Sequence, residues 1–332
     1  MSDYQALSLI KQGDQVQPEY ISKELPKLQD GHVLIRVQYS SINRKDALML
    51  DPNSGVVHDY PIIPGIDFSG MVIKSKDPRF FVGDKVVGTG FDFGIKHPGG
   101  YAEFITASAD QVFKIPRPLT MRDAMILGTA GLTAAISLSQ FLQIRQTIDK
   151  TIPILVTGVT GGVGGLTLAM LHKLGFKNIT AVTRRTDVND YLVNLGASTI
   201  LTPTDLANPQ AKPLLKGKYM AILDSVGGQL LGDLLGQVQY GGRVITSGNA
   251  AGNDFKANVL PFILRSISLI GVDSVNYPAQ DRQELWQLLS SAFRLDGEHS
   301  VAVHEIAFED MVPHLKAFMS GSNLGRTIVA FP

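Results

Sequence analysis

The 332-residue chain contains no cysteine. That absence removes disulfides, thiol nucleophiles and Cys-based zinc sites together. A charge bias is also missing: 30 Lys and Arg stand against 30 Asp and Glu, with no long basic run. This balance gives no reason to expect nucleic-acid or anionic-membrane binding. The opening residues, M-S-D-Y-Q-A-L, lack a basic stretch followed by an apolar core. No secretory signal is expected there, and the cytoplasm is the default compartment. Histidine is scarce, at seven residues, and no H-x-x-x-H pair occurs. His32, His58, His97 and His172 therefore read as surface or packed residues rather than metal ligands. A His/carboxylate zinc site stays formally open.

One long run lacks charge altogether. From Ala124 to Ile144 it is long enough to span a bilayer by count. It carries Gly128, Thr129, Gly131, Thr133, Ser137, Ser139, Gln140 and Gln143, and it divides at G-T-A-G. Two buried core helices are the expectation, not a membrane span.

What the chain does have is concentrated in residues 152–185. An apolar run, I-P-I-L-V-T, leads into G-V-T-G-G-V-G and a helix-like segment, then into N-I-T-A-V and Thr183, Arg184 and Arg185. This is the order of a strand, turn, helix and second strand built to hold a dinucleotide. The glycines allow a tight turn, and the helix aims its first N–H groups at a pyrophosphate. Thr160, Gly161, Gly162 and Val163 are the candidate cofactor-binding turn. The fingerprint is imperfect, because Val159 stands where a first glycine is expected and Gly158 is displaced by one. At the end of the second strand an acidic residue would hydrogen-bond a ribose hydroxyl and repel a phosphate. A hydroxyl and two guanidinium groups stand there instead, which favours NADPH.

The first part of the chain reads as β-rich, with runs at Ala6–Ile10, Val33–Val37, Ile66–Ile73, Lys85–Gly88 and Tyr101–Thr106. From about residue 120, strands and helices alternate. The strand candidates are Ile154–Thr157, Ile179–Thr183, Thr199–Leu201, Met220–Asp224, Arg243–Ser247 and Ile267–Val272. Helices are expected at Met121–Gln143, Gly164–Lys173, Val188–Leu195 and Leu230–Gln237, and later at Arg282–Phe293 and Glu309–Met319. The fold class is α/β: a doubly wound parallel Rossmann sheet plus a β-rich domain. A final strand, Thr327–Phe331, has no evident Rossmann partner, which suggests a tail returning to the first domain. Ile267–Val272 comes last in the parallel series and carries no charge between Arg265 and Asp273, so it reads as an edge open to pairing.

Several segments together resemble the medium-chain dehydrogenases/reductases with a GroES-like first domain. They are S-I-N-R-K-D at 41–46, P-I-I-P-G-I-D-F-S-G at 61–70, G-D-K-V at 83–86, G-G-Y-A-E at 99–103, G-T-A-G-L-T-A at 128–134, D-S-V-G-G at 224–228, Y-G-G-R-V at 240–244 and G-R-T-I-V at 325–329. The resemblance covers essentially the whole chain. P-F-I-L-R-S-I-S-L-I-G-V-D-S-V at 261–275 and D-P-R-F at 77–80 are similar to the YhdH/YhfP branch of quinone oxidoreductases and acrylyl-CoA reductases. It implies a GroES-like domain over 1–125, an NADPH-binding Rossmann domain over 126–274, and a return of 275–332 to the first domain. It also implies a homodimer through strand 267–272.

The resemblance also directs attention to single residues. Asn43 and Asp46 read first as a side-chain-stabilised turn; the resemblance places them in the family's nicotinamide cleft. Asp67 reads as an Asx turn or, by resemblance, as a cleft residue. Arg326 is a strand-start surface charge or a basic residue reaching the cofactor. These four are the candidate catalytic residues. Thr129 and Thr133 are either helix-packing residues or contacts to the nicotinamide carboxamide. Gly248 and Asn249 follow a strand's C-terminal end, where ligands sit in doubly wound sheets. The branch commonly has N-Y-K-D where this chain has N-R-K-D. Arg44 cannot donate a proton as tyrosine can; it is a candidate for binding an anionic group, with water left to protonate.

Zinc-dependent relatives carry Cys and G-H-E ligands; here the G-H-E position is Gly65, Ile66, Asp67. No metal is expected. The expected activity is NADPH-dependent reduction of an activated C=C bond, since hydride addition there makes an enolate that hydrogen bonds can stabilise. Acryloyl-CoA or a similar short enoyl thioester is the expected substrate. The alternatives are a quinone or enal reductase, or a low-turnover NADPH-binding sensor or structural protein.

Overall fold

A computed structural model describes residues 3–143, 149–295, 300–319, 321 and 323–332. The first two residues and Ile144, the last of the uncharged run, lie outside that set. In chain order the first strands are β1 (Tyr4–Gln12), β2 (Gln15–Lys23) and β3 (His32–Ile42). Helix α1 (Arg44–Leu48) precedes β4 (Asp67–Ser75), β5 (Lys85–Thr89), β6 (Phe104–Ser108) and β7 (Val112–Lys114). Then come α2 (Met121–Leu142), β8 (Ile154–Thr157), α3 (Gly162–Lys173), β9 (Ile179–Val182), α4 (Asn189–Asn194) and β10 (Thr199–Leu201). Next are α5 (Pro203–Leu206), β11 (Tyr219–Asp224), α6 (Gly228–Leu235), β12 (Val238–Thr246), α7 (Leu260–Arg265) and β13 (Ser268–Gly271). The chain continues with α8 (Ala279–Leu289), β14 (Val303–Ala307), α9 (Met311–Met319) and β15 (Arg326–Ala330).

Two compact units result: residues 1–129, 274–290 and 302–332 form one, and 130–273 with 291–301 the other. Residues 291–301, between the two returning pieces, group with the second unit. Apolar side chains explain the detour. Phe293 and Val301 are each 3% exposed, and Val301 Cγ1 would stand 3.3 Å from a Cβ placed on Gly165 of α3.

The first unit holds a seven-stranded sheet in the order β14-β15-β3-β4-β5-β7, with β6 also on β3. Alternating apolar residues of β3 and β4 close its core: Val33, Ile35, Val37, Phe68 and Val72 are essentially inaccessible. Each such side chain contributes about 1.5–3 kcal/mol. Gly70 is glycine because a Cβ there would collide with the Arg36 carbonyl on β3. β15 runs antiparallel to β3, pairing Thr327 with Ile42 and Ile328 with Ser41. β2 and β14 were not apparent in the sequence. β2 has a proline and mostly polar residues and pairs only with β1; β14 is an edge strand whose residues stay largely exposed. The segment re-entering at Ser274 is tied down by Arg282. This fully buried guanidinium donates to the carbonyls of Tyr277, Ser274, Val275 and Thr89 at 2.6–3.0 Å and stacks 4.0 Å from the Phe91 ring centroid.

The second unit is a six-stranded sheet, β10-β9-β8-β11-β12-β13, with every pair parallel. β8 and β9 are buried at every residue, as a sheet covered on both faces requires. The strand order reverses direction between β8 and β11, the switch point where doubly wound sheets bind ligands. β13 ends the sheet. The expected break at G-T-A-G is present: Gly128 has φ 51° and ψ −153° within the α2 run. α2 is long and apolar enough to cross a membrane by composition, yet 72% of its apolar window is buried inside the fold.

Candidate active site and dinucleotide turn

Strand β3 ends in Ser40, Ser41 and Ile42, then Asn43, three polar residues buried in an apolar strand end. Their partners come from distant parts of the first unit. Asp67, at 0% exposure, opens β4. Its Oδ2 accepts from Ser41 Oγ at 2.8 Å, Asn43 Nδ2 at 2.8 Å and the Thr129 N–H at 2.9 Å. Its Oδ1 accepts from Thr129 Oγ1 at 2.5 Å. Arg326 opens β15 and is 3% exposed. Its Nη1 donates to Asn43 Oδ1 at 3.1 Å, its Nη2 to Ser41 Oγ at 2.9 Å, and its Nε to the Ile126 carbonyl at 2.8 Å. The Arg326–Asp67 ion pair spans 3.9 Å. Asn43 is thus held at both ends, its amide nitrogen by Asp67 and its oxygen by Arg326. A Cβ on Gly128 would collide with the Asp67 carboxylate and approach Arg326 Nη2 to 2.9 Å, so the ion pair has room only beside a glycine.

Asp46 sits on the same cluster at 1% exposure. Its two oxygens accept the Asn43 and Ile66 N–H groups, each at 2.9 Å. Burial pushes its carboxyl up to about 7, with the Asp67 charge adding to the rise and the two backbone donors opposing it. Tyr101, whose hydroxyl donates to the Ser41 carbonyl at 3.2 Å, is held well above the ordinary phenol range by burial and then by Asp46 and Asp67. Burial lowers the Arg326 guanidinium, and the two carboxylates counter it.

The sequence expectation places Asp46 and Asp67 in the cleft as candidate catalytic groups. Both face inward with their oxygens occupied, because a carboxylate this deep needs donors on every side. Asp67 is not an Asx turn either, since it bridges β3, β4 and the Gly128 kink. Thr129, expected at the nicotinamide, is turned to Asp67 through its N–H and its hydroxyl. Thr133 is 4% exposed within α2. Arg44, the first residue of α1, is exposed. Ser41 and Tyr101 were not singled out by sequence reasoning; two adjacent serines ending an apolar strand were the available signal.

In the second unit β8 ends at Thr157, and Gly158 turns the chain with φ 65°. Gly161 then caps α3. A Cβ on Gly158 would meet Ser225 Oγ, and one on Gly164 would meet the carbonyls of Thr157 and Gly158. Gly161 faces open space apart from the Gly158 carbonyl at 3.4 Å. Thr160, Gly161, Gly162 and Val163 remain partly exposed. A pyrophosphate fits this open side, against the free N–H groups of a twelve-residue helix. Asp224, which ends β11 at 2% exposure, braces the floor. It accepts from Thr157 Oγ1 at 2.6 Å, the Gly227 N–H at 3.0 Å and Thr246 Oγ1 at 3.0 Å, joining the ends of β8, β11 and β12. Sequence reasoning quoted Asp224 only within a motif; a lone acid closing the apolar run Y-M-A-I-L was its signal. A small cavity at these strand ends is lined by Ser137, Thr157, Val163, Asp224, Ser225 and Ser247. A cleft of about 440 Å³ bordered by residues 207–213 and 256–261 contains none of the site residues. Gly248 packs against the Ser225 backbone, and exposed Asn249 donates to Asn253 at 2.6 Å. At the end of β9, Thr183 is buried, Arg184 exposed and Arg185 half-buried.

The chain is similar to known proteins over most of its length. Residues 29–117 match the model of the alcohol dehydrogenase GroES-like domain. Acrylyl-CoA reductase AcuI of Ruegeria pomeroyi is 38% identical over 306 residues, covering 92% of each chain. The chain belongs to the medium-chain dehydrogenase/reductase superfamily, in its quinone oxidoreductase-like branch. The yhfP protein of Bacillus subtilis, crystallised with NAD bound, superposes with a TM-score of 0.94 at 38% identity, covering 99% of this chain and 100% of that one. The yhdH oxidoreductase of Salmonella enterica, in complex with NADP, gives 0.91 at 36% identity with the same coverages. This medium-chain reductase has no group of three or more His, Asp or Glu side chains that could hold a metal ion among its described residues.

Proposed function

We propose that the chain reduces activated C=C bonds with NADPH, its substrate a short enoyl thioester of the acryloyl-CoA type. It is an oxidoreductase of the medium-chain family, and NADPH is its cofactor. When bound, NADPH supplies a hydride. Thr160–Val163 hold the pyrophosphate by backbone donors, with Gly248 and Asn249 at the neighbouring strand end. Thr183, Arg184 and Arg185 hold the 2′-phosphate. Asn43, set by Asp67 and Arg326, orients the reacting region, and Arg44 attracts an anionic group. The observation that carries this reading is the closed donor network around Asp67. At the position where zinc-dependent relatives have a ligand, the carboxylate lone pairs are taken by Ser41, Asn43 and Thr129. A carboxylate whose lone pairs are already taken by donors is poorly suited to ligate a metal ion, which suits hydride transfer to an activated C=C bond without Lewis-acid help.

The test is NADPH oxidation by purified protein over acryloyl-CoA, crotonyl-CoA, quinones and enals, with zinc content measured alongside. Acryloyl-CoA should give the highest kcat/KM, without stoichiometric zinc and without loss in EDTA. A clear preference for quinones or enals would replace the thioester. Tight NADPH binding with no turnover on any of them would make the chain a sensor.

The proposed assembly is a dimer through β13. The strand ends its sheet, and Val259, Ile263 and Leu264 beside it are 60%, 67% and 55% exposed. An isologous pairing there would satisfy the open edge. Light scattering at micromolar protein should give twice the chain mass, and Leu269→Pro should halve it by removing a ladder donor. A monomer mass for the unmodified protein would refute the dimer.

A further inference from the structure

The guanidinium assigned to the 2′-phosphate already holds an anion. Arg185 Nε donates to Asp187 Oδ1 at 3.1 Å and Nη2 to Oδ2 at 2.6 Å, a two-pronged pair. The turn after β9 builds it. The Arg185 N–H donates to Thr183 Oγ1 at 3.1 Å. The Arg185 side chain is 32% exposed and that of Asp187 65%. The pair therefore lies where a ligand phosphate can reach it. Hydrogen bonds from Arg185 hold the Asp187 carboxyl below the usual range, so it is ionised at neutral pH.

NADPH and NADH differ at this place by one phosphate. We propose that Asp187 sets how strongly the chain prefers NADPH over NADH, by competing with the 2′-phosphate for Arg185. The inference rests on the reading of Arg185 given above. A phosphate arriving at Arg185 must displace the carboxylate or settle beside it, and two anions on one guanidinium repel. NADH brings no charge there and meets no such opposition. Because the pair is partly exposed, solvent screens the effect, and it amounts to about two- to fivefold in affinity.

The test is a fluorescence titration of NADPH and NADH, without substrate, on the unmodified protein and on Asp187→Asn, Arg185→Ala and the double variant. Asp190→Asn, an exposed acid on α4, controls for net charge. Asp187→Asn should tighten NADPH about two- to fivefold, leave NADH unchanged, and lose the gain at high salt. In the Arg185→Ala background the same substitution should do nothing. An unchanged NADPH-to-NADH ratio in Asp187→Asn, or the same gain from Asp190→Asn, overturns the proposal while leaving Arg185 as the phosphate ligand. If Arg185→Ala itself weakens both cofactors equally, the reading beneath it fails as well.

Discussion

Arg326→Met should destabilise the protein by about 3–5 kcal/mol, the usual loss when one partner of a buried ion pair is removed. Methionine fills most of the space but returns none of the donors. Asn43 Oδ1, Ser41 Oγ and the Ile126 carbonyl lose their partner, and Asp67 is left at 0% exposure without its cation. The loss should depend on pH with a definite sign. The Asp46 carboxyl is raised to about 7 in the folded chain from an ordinary value of 3.8. Across that window the folded state binds more protons than the unfolded one. Stability therefore falls as pH rises towards about 7 and levels off above it. Without Arg326 the cluster holds its proton more tightly, and the decline should continue to higher pH. Urea unfolding of both proteins at mildly acidic and mildly alkaline pH reads this directly. A variant within about 0.5 kcal/mol of the unmodified protein at alkaline pH would show that Arg326 does not close the network.

Asp67→Asn should lower kcat by about ten- to a hundredfold, the range expected when a positioned group drifts by an ångström. The substitution preserves shape. An amide oxygen can accept from Ser41, Asn43 and the Thr129 N–H, while its NH2 faces a Thr129 hydroxyl that turns to accept. What disappears is the charge that fixes Arg326, and with it the grip on Asn43. The fold should survive with a cost of about 1–3 kcal/mol, and KM should change less than kcat. Full kcat with only a lowered melting temperature would reduce Asp67 to a purely structural residue.

Parts of this were legible because local chemistry admits few alternatives. Gly158, Gly161 and Gly164 mark a turn that a side chain would block, and the paired arginines after β9 can be read without a structure. The parallel strands were visible as short apolar runs, those of β8 and β9 buried at every residue. The Asp67 cluster was only half visible. Asp67, Asn43, Asp46 and Arg326 were each noticed, but no local pattern states that a residue at position 326 reaches one at 43. Nor does one show that Thr129 turns towards the carboxylate rather than a ligand. The break at G-T-A-G was legible, but not that the absent side chain at Gly128 leaves room for the ion pair beside it. β2 and β14 lacked the apolar alternation of the inner strands because each has little to bury.

The two halves of the Asp67–Arg326 pair are separated in time as well as in sequence. Arg326 lies 283 residues after Asn43, and a ribosome adding about 5–20 residues per second takes on the order of ten seconds to a minute to cover that interval. Throughout it, β3 and β4 can form while Asp67 has no counterion, and the intervening Rossmann strands are made before the cation arrives. Nascent chains halted before β15 should therefore present an incomplete, acid-bearing sheet that proteases and chaperones can tell from the finished molecule.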